Sequence, residues 1–343
     1  MRLTGTSFFF STLLTLSVLS CTAVSPQMKM KFDRQDGGVN DLALSPDGTT
    51  VASASTTGSI YIFNIESGDI VRSMEGHKRE ATTVVYHPTG RYIISGSRRG
   101  LKFWEASSGT ETGDFKVKTQ MVRALDITPD GKFILTGNSN NFLELWRGFD
   151  GSHVYTFKQQ PFITDLEISP DSRFAISASG QGSVMVWDLE EHCMERQLAG
   201  HGGYVSSVSF SPDGKFAMSG GWDSKINIYD METGEVVRVI ENPKESAFSS
   251  AAVNSVDWSP DNIHILSAGR NRVMHLWEAE TGRLVRTFRG HTAEITVAQF
   301  TWDGNYIISG DKRGAIRLWD IWMEPVAAVQ ETGSQEEGDV KPE

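Results

Sequence analysis

Short apolar runs recur along this chain, each bounded by turn-forming polar residues, and their beat is that of β-strands. The segment from Val205 to Val239 shows the unit most clearly. Val205, Val208 and Phe210 give one apolar run, which stops at Ser211-Pro212-Asp213-Gly214, where proline presets φ and glycine tolerates the reversal. Phe216, Ala217 and Met218 make a second run, and Trp222-Asp223-Ser224 then turn the chain. Ile226, Ile228 and Tyr229 form a third run, and Val236, Val237 and Val239 a fourth. Four strands in about 42 residues leave no room for a helix, so the unit is a small antiparallel sheet. One such sheet cannot bury both faces alone.

The unit returns seven times. Its turns are Ser45-Pro46-Asp47-Gly48, His87-Pro88-Thr89-Gly90, Thr128-Pro129-Asp130-Gly131, Ser169-Pro170-Asp171-Ser172, Ser211-Pro212-Asp213-Gly214, Ser259-Pro260-Asp261-Asn262 and Thr301-Trp302-Asp303-Gly304. The closing aromatics, Phe63, Trp104, Trp146, Trp187, Tyr229, Trp277 and Trp319, keep the same step. Two independent rulers report one period, which predicts an all-β, seven-bladed β-propeller with its sheets stacked radially.

The 343 residues would allow two or three domains by length, but seven copies of one unit favour a single closed array. A formal net charge of −11 argues against a nucleic-acid partner, because phosphate contact carries a basic footprint. Residues 1–20 lie outside the repeat. Arg2 followed by the uncharged run Ser7 to Leu19 is too short to span a bilayer and suits the apolar core of an export signal. Its end, Ser17-Val18-Leu19-Ser20-Cys21, resembles a bacterial lipobox, with Val18 in place of the commoner leucine. That resemblance implies cleavage before Cys21, acylation of Cys21 and a lipoprotein anchored in the cell envelope, facing the periplasm or the cell exterior. A plain signal cut after Ala23 and an uncleaved anchor are the alternatives. Residues 21–27 read as the linker to the anchor and 28–322 as the propeller. Residues 323–343 read as a disordered acidic tail, because Glu331 to Glu343 carries one apolar side chain among its acids. Cys193, between Glu190, Glu191, His192 and Glu195, has no partner left and reads as solvated surface.

The repeats resemble WD40 repeats from Met28 to Ile321. The family's Gly-His step stands at Gly76-His77, Gly200-His201 and Gly290-His291, and its Trp-Asp step at Trp187-Asp188 and Trp319-Asp320. The resemblance implies a buried hydrogen-bonded tetrad in repeat five, made of His201, Ser219, Asp223 and Tyr229. Thr57, Arg99, Asn140, Gln181, Asn271 and Arg313 stand where the aspartate belongs in the other repeats, so those blades are expected to lack the charged member. It also implies that Met28-Lys29-Met30-Lys31-Phe32 closes the last blade, with Val326 to Val329 as the alternative strand. Closure removes two free sheet edges. Met28 would then enter from the bottom face and bring that face toward Cys21 and a membrane.

No chemistry-bearing constellation stands out. His-x-x-x-His pairs, cysteine pairs, phosphate loops and Gly-x-Ser-x-Gly elbows are all missing from the sequence. No catalytic residue, metal or cofactor is therefore expected. The inner strands carry acids, as in Val39-Asn40-Asp41-Leu42 and Ile163-Thr164-Asp165-Leu166, that read as isolated. The Asp residues of the bottom turns read as turn chemistry and not as calcium ligands. The top face is more suggestive. It should present Arg98, Arg99, Trp222, Arg270, Arg272, Lys312 and Arg313 from one set of turns. Lys78, Arg79 and Tyr204 come from the other set, and Phe248 from the longer loop Asn242 to Ser250. Aromatic and arginine side chains on one surface of an acidic protein are what interface anchors look like. The expected function is a non-catalytic, monomeric scaffold that binds protein or acidic peptide partners on that face. The alternative is a periplasmic propeller enzyme or ligand-binding protein with its site in the central channel.

Overall fold

Each apolar run of the repeats is a strand. The computed structural model describes residues 28–32, 34–115, 122–158, 162–244 and 250–322, and arranges them in seven four-stranded antiparallel sheets. In blade 1 the strands Val39–Leu44, Thr50–Ser55, Ser59–Asn64 and Ile70–Glu75 pair in chain order, from the axis outward. The first three are buried over most of their length. The fourth alternates exposed and covered positions, as an outer edge in water must. The seven innermost strands touch in sequence, and Ile295–Phe300 returns to Val39–Leu44, so the ring is closed.

The core lies between blades. Ile60, Ile62 and Met74 of blade 1 pack with Val84, Ile93 and Trp104 of blade 2, and equivalent clusters follow around the ring. No blade has a core of its own, which is why the period alone dictates a closed array. Met28–Lys31 pairs antiparallel with Ile316–Asp320, placing Met28 opposite Trp319 and Lys31 opposite Arg317. The N-terminal strand therefore completes blade 7. The alternative, Val326 to Val329, lies outside the described residues, as do the signal segment, Cys21 and the acidic tail. Phe32 meets Phe63 edge-on at 5.8 Å, and Trp302 Nε1 donates to the Ser45 carbonyl at 2.8 Å. Both contacts join the closing blade to blade 1.

The bottom turns use their acids locally. Ser45, Thr128 and Ser211 each donate to the aspartate two residues on, at 2.6, 2.7 and 2.7 Å. This is the side-chain turn chemistry expected of these positions.

Repeat five holds the tetrad. His201 meets Asp223 at 2.9 Å and Ser219 at 2.7 Å, and Ser219 meets the Tyr229 hydroxyl at 2.8 Å. The structure corrects the sequence reading of repeat seven. Arg313 occupies the aspartate's place there, yet Asp311, two residues earlier at the end of its strand, meets His291 at 2.8 Å. His291 in turn meets Ser309 at 2.7 Å, and Trp319 Nε1 donates to Ser309 at 2.8 Å. Among the described residues, blades 5 and 7 have complete sets. In blade 6 the buried Asn242 takes the histidine's position and accepts from Ser267 at 3.2 Å, so it is not a surface residue of the long loop.

Candidate functional site

The top end is built on a feature repeated in every blade. Each innermost strand slips register by one residue after its first position, for example between Val39 and Asp41 and between Val122 and Ala124. A bulged residue is freed from the ladder and its side chain re-aimed. The seven bulged residues are Asn40, Thr82, Arg123, Thr164, Ser206, Asn254 and Thr296. Six of them are short and polar, and each donates to the first carbonyl of the next blade's inner strand. Asn40 reaches Ala81, Thr82 reaches Val122 and Thr164 reaches Val205, at 2.7, 2.5 and 2.7 Å. Ser206 reaches Val253, Asn254 reaches Ile295 and Thr296 reaches Val39, at 2.5, 2.8 and 2.7 Å. Arg123 is the exception. Its guanidinium lies 5.3 Å over the Phe162 ring instead.

Phe162 begins a ladder of ring contacts across the top of blades 4, 5 and 6, its ring tilted 55° from that of Tyr204. Phe162 and Tyr204 have ring centroids 6.2 Å apart. Tyr204 stacks on Trp222 at 4.2 Å with 21° between planes, and the Arg270 guanidinium covers the other part of Trp222 at 3.9 Å. The backbone fixes the stack: Trp222 N donates to Tyr204 O at 2.8 Å, and Arg270 N to Ala252 O at 3.1 Å. Arg270 Nε also lies 4.0 Å from Glu294, which holds Lys312. Trp222 remains 42 % exposed between these two neighbours. Burial pushes the Tyr204 phenol above its ordinary value, while the nearby charges of Arg123 and Arg270 pull it down.

Of the residues singled out from the sequence, Tyr204, Trp222, Arg270 and Lys312 are brought together. Lys78, Arg79, Arg98 and Arg99 form a separate group on blade 2, all exposed, with Arg98 paired to Glu80 at 3.0 Å. Arg272 and Arg313 are exposed on turns next to the ladder, and Phe248 lies outside the described residues. The charge of the patch is thus partly neutralised by Glu80 and Glu294. Two members, Arg123 and Phe162, escaped the sequence reading. Superposing the seven repeats at the second residue of the inner strand would have found Arg123, the only long side chain in that column.

Further down the axis the inner-strand acids are not isolated. Asp41 accepts from Val84 N at 2.9 Å, Asp165 from Val208 N at 3.0 Å and Glu167 from Phe210 N at 3.0 Å. Asp126 accepts from Ile168 N at 2.8 Å and Asp257 from Phe300 N at 2.6 Å. Each acid clasps the next blade. Burial raises Asp41 and Asp126 to about 6 and Asp165 and Asp257 to about 7, and holds Glu167 well above its ordinary value. Glu167 also feels Asp126, Asp257 and Asp165. Among the described residues, no three His, Cys, Asp or Glu side chains converge to hold a metal ion.

The geometry defines a seven-bladed propeller whose inner strands are joined around the axis by inter-blade hydrogen bonds. Comparison with known families gives the same class from sequence. The model described as "WD domain, G-beta repeat" matches residues 109–147, 151–188, 193–230, 242–278 and 282–320, so the chain belongs to the WD40-repeat family. The anaphase-promoting complex subunit 4 WD40 domain matches residues 19–89. The chain is similar to WD repeat-containing protein SL1-17 of Schistosoma mansoni, at 25 % identity over 47 % of this chain and 54 % of that protein. It is similar to cilia- and flagella-associated protein 52 of Chlamydomonas reinhardtii, at 24 % identity over 48 % of this chain and 27 % of the relative. Pre-mRNA-processing factor 19 of Bos taurus is 21 % identical over 50 % of this chain and 35 % of its own length. The matches thus span between about a quarter and about half of these relatives.

Proposed function

We propose that this propeller is a non-catalytic platform that captures a protein or peptide partner on the top sector formed by Phe162, Tyr204, Trp222 and Arg270. WD40 propellers generally bind proteins. The observation that carries the reading here is the pre-stacked Tyr204–Trp222–Arg270 column, whose indole stays partly exposed. Rigid aromatic and arginine groups lose little conformational freedom on binding and dominate interface energetics. The axial acids favour binding over catalysis, because amides of the neighbouring blade occupy them. Replacing Trp222, Arg270 and Lys312 together by alanine should reduce partner capture from native extracts more than tenfold, with the melting temperature within a few degrees of the parent. Undiminished capture by the triple variant would refute the platform.

We propose further that the chain is exported and held at a membrane through Cys21, with the bottom face inward. The support is the apolar run Ser7 to Leu19 ending at Cys21, and the start of the closing strand at Met28. Mass spectrometry of the mature N-terminus should find acylated Cys21 first. Val24 as the first residue would identify a plain cleaved signal, and Met1 an uncleaved one.

A further inference from the structure

Arg123 breaks a rule that the six other blades keep. At the equivalent position Asn40, Thr82, Thr164, Ser206, Asn254 and Thr296 each span the blade boundary with a hydrogen bond. Between blades 3 and 4 that bond is absent, and a long cation stands in its place. Among the described residues its buried Nε has no hydrogen-bond partner, a condition it shares with Arg270 Nε. No ion pair accompanies it among the described residues. A chain that gives up one of seven equivalent bonds, and leaves a guanidinium nitrogen unsatisfied beside an aromatic ring, has a local defect in its own architecture.

The defect has a location. Arg123 lies over Phe162, the first rung of the stacked column, and its charge reaches the Tyr204 phenol together with that of Arg270. The other cations near the column have a carboxylate beside them: Glu294 holds Lys312 and lies 4.0 Å from Arg270. Arg123 is therefore the cation at this face best placed to take an anion from outside. A planar guanidinium over an aromatic face matches a carboxylate flanked by an apolar side chain.

We infer that Arg123 is the specificity residue of the top face and receives a carboxylate of an acidic peptide, whose neighbouring apolar side chain lies along Phe162 and Tyr204. This rests on the platform reading above. It differs in assigning recognition to a residue at the channel mouth, at the point where the ring of inter-blade bonds is interrupted. The bulge supplies the mechanism: it turns the side chain at this position out of the ladder in every blade, and only here is that side chain long enough to serve a ligand.

The test uses the full chain and two fluorescein-labelled peptides, one alternating phenylalanine with glutamate and the other phenylalanine with glutamine, read by fluorescence anisotropy. The parent protein should bind the glutamate peptide at least tenfold more tightly. Arg123→Thr should erase that preference. The same substitution places at this position the residue type that makes the bond in blades 2, 4 and 7, so its melting temperature should not fall below the parent's. That readout separates loss of recognition from loss of fold. Arg123→Lys keeps the charge without the planar fork and should retain only part of the preference. Persistence of the full preference in Arg123→Thr would overturn the inference. Equal binding of both peptides by the parent, abolished by Trp222→Ala, would overturn it while leaving the platform intact. No binding of either peptide at millimolar concentration, or binding that Trp222→Ala does not change, would overturn both. Inorganic phosphate should compete with the glutamate peptide only in proteins that retain Arg123; competition in Arg123→Thr would also count against the assignment.

Discussion

Asp311→Ala is expected to lower the unfolding free energy by about 2–4 kcal/mol, because it strands the buried His291 donor and removes two further hydrogen bonds to a charged acceptor. Asp311 and His291 side chains are both fully buried, and they lie in the blade that closes the ring. Burial pushes His291 below its ordinary value even though Asp311 pulls it up, so the imidazole is neutral. Burial pushes Asp311 up, but bonds from His291 and from the Arg313 and Ala315 amides outweigh it and hold the acid below its ordinary value. The interaction is therefore a hydrogen bond to a charged acceptor and not an ion pair. Removing the carboxylate strands the buried His291 Nδ1 and takes the acceptor from the Arg313 and Ala315 amides, which lie 2.9 and 3.1 Å away. Asp223→Ala in blade 5 should cost less, about 1–2 kcal/mol, because that carboxylate is 21 % exposed and water can replace it. Denaturant unfolding of the full chain, with the slope checked for constancy, measures both. Equal losses would show that solvent access does not separate the two sites.

The second large effect is on pH. The five axial carboxyls bind protons more tightly in the folded ring than in the unfolded chain, because burial raises all of them. Between their ordinary values and their raised ones the folded state carries more protons. Stability therefore falls as pH rises through about 6 to 7 and reaches its floor above that window. Other groups act the opposite way at lower pH. Burial lowers His77 to about 4, and His87 and His291 are also held low, so protonation in the unfolded chain drains stability below about 6.5. Carboxyls held low by hydrogen bonds, such as Asp130 at about 2, lose their contribution further down. Between about pH 5 and 6 the five raised carboxyls outweigh the three lowered histidines, so the optimum lies below pH 6. Moving from pH 8 to pH 6.5 should raise stability, with Asp165 and Asp257 together contributing about 1.5 kcal/mol, and should raise the melting temperature. Glu167→Gln with Asp165→Asn should flatten this slope. A profile that rises steadily to pH 8 would contradict the raised values.

How much of this was legible beforehand varies by feature. The closing strand could be read because Met28 to Phe32 alternates outside the repeat count and Pro325 interrupts the other end. The tetrad of repeat five was equally open, since its members sit at the family's spacing. Repeat seven misled because Asp311 reaches the same histidine from two residues earlier, where the strand end, and not the turn, carries the carboxylate. The sequence gathers the top-face cations on one surface but pairs none of them. Glu80 and Glu294 come from loops 18 residues away in sequence from Arg98 and Lys312, and no local pattern pairs them.

The sequence by itself determined the seven blades, their strand order and the strand that locks the ring. Those follow from local chemistry repeated at a fixed period: apolar runs, turn residues and one aromatic per unit. Only the tertiary structure decided which side chains cooperate across blade boundaries. The bonds that ring the channel mouth, the clasping acids and the column from Phe162 to Arg270 all join residues from different repeats. Radial packing creates those contacts, and a linear pattern of apolar and polar positions carries no record of which neighbour each side chain will meet.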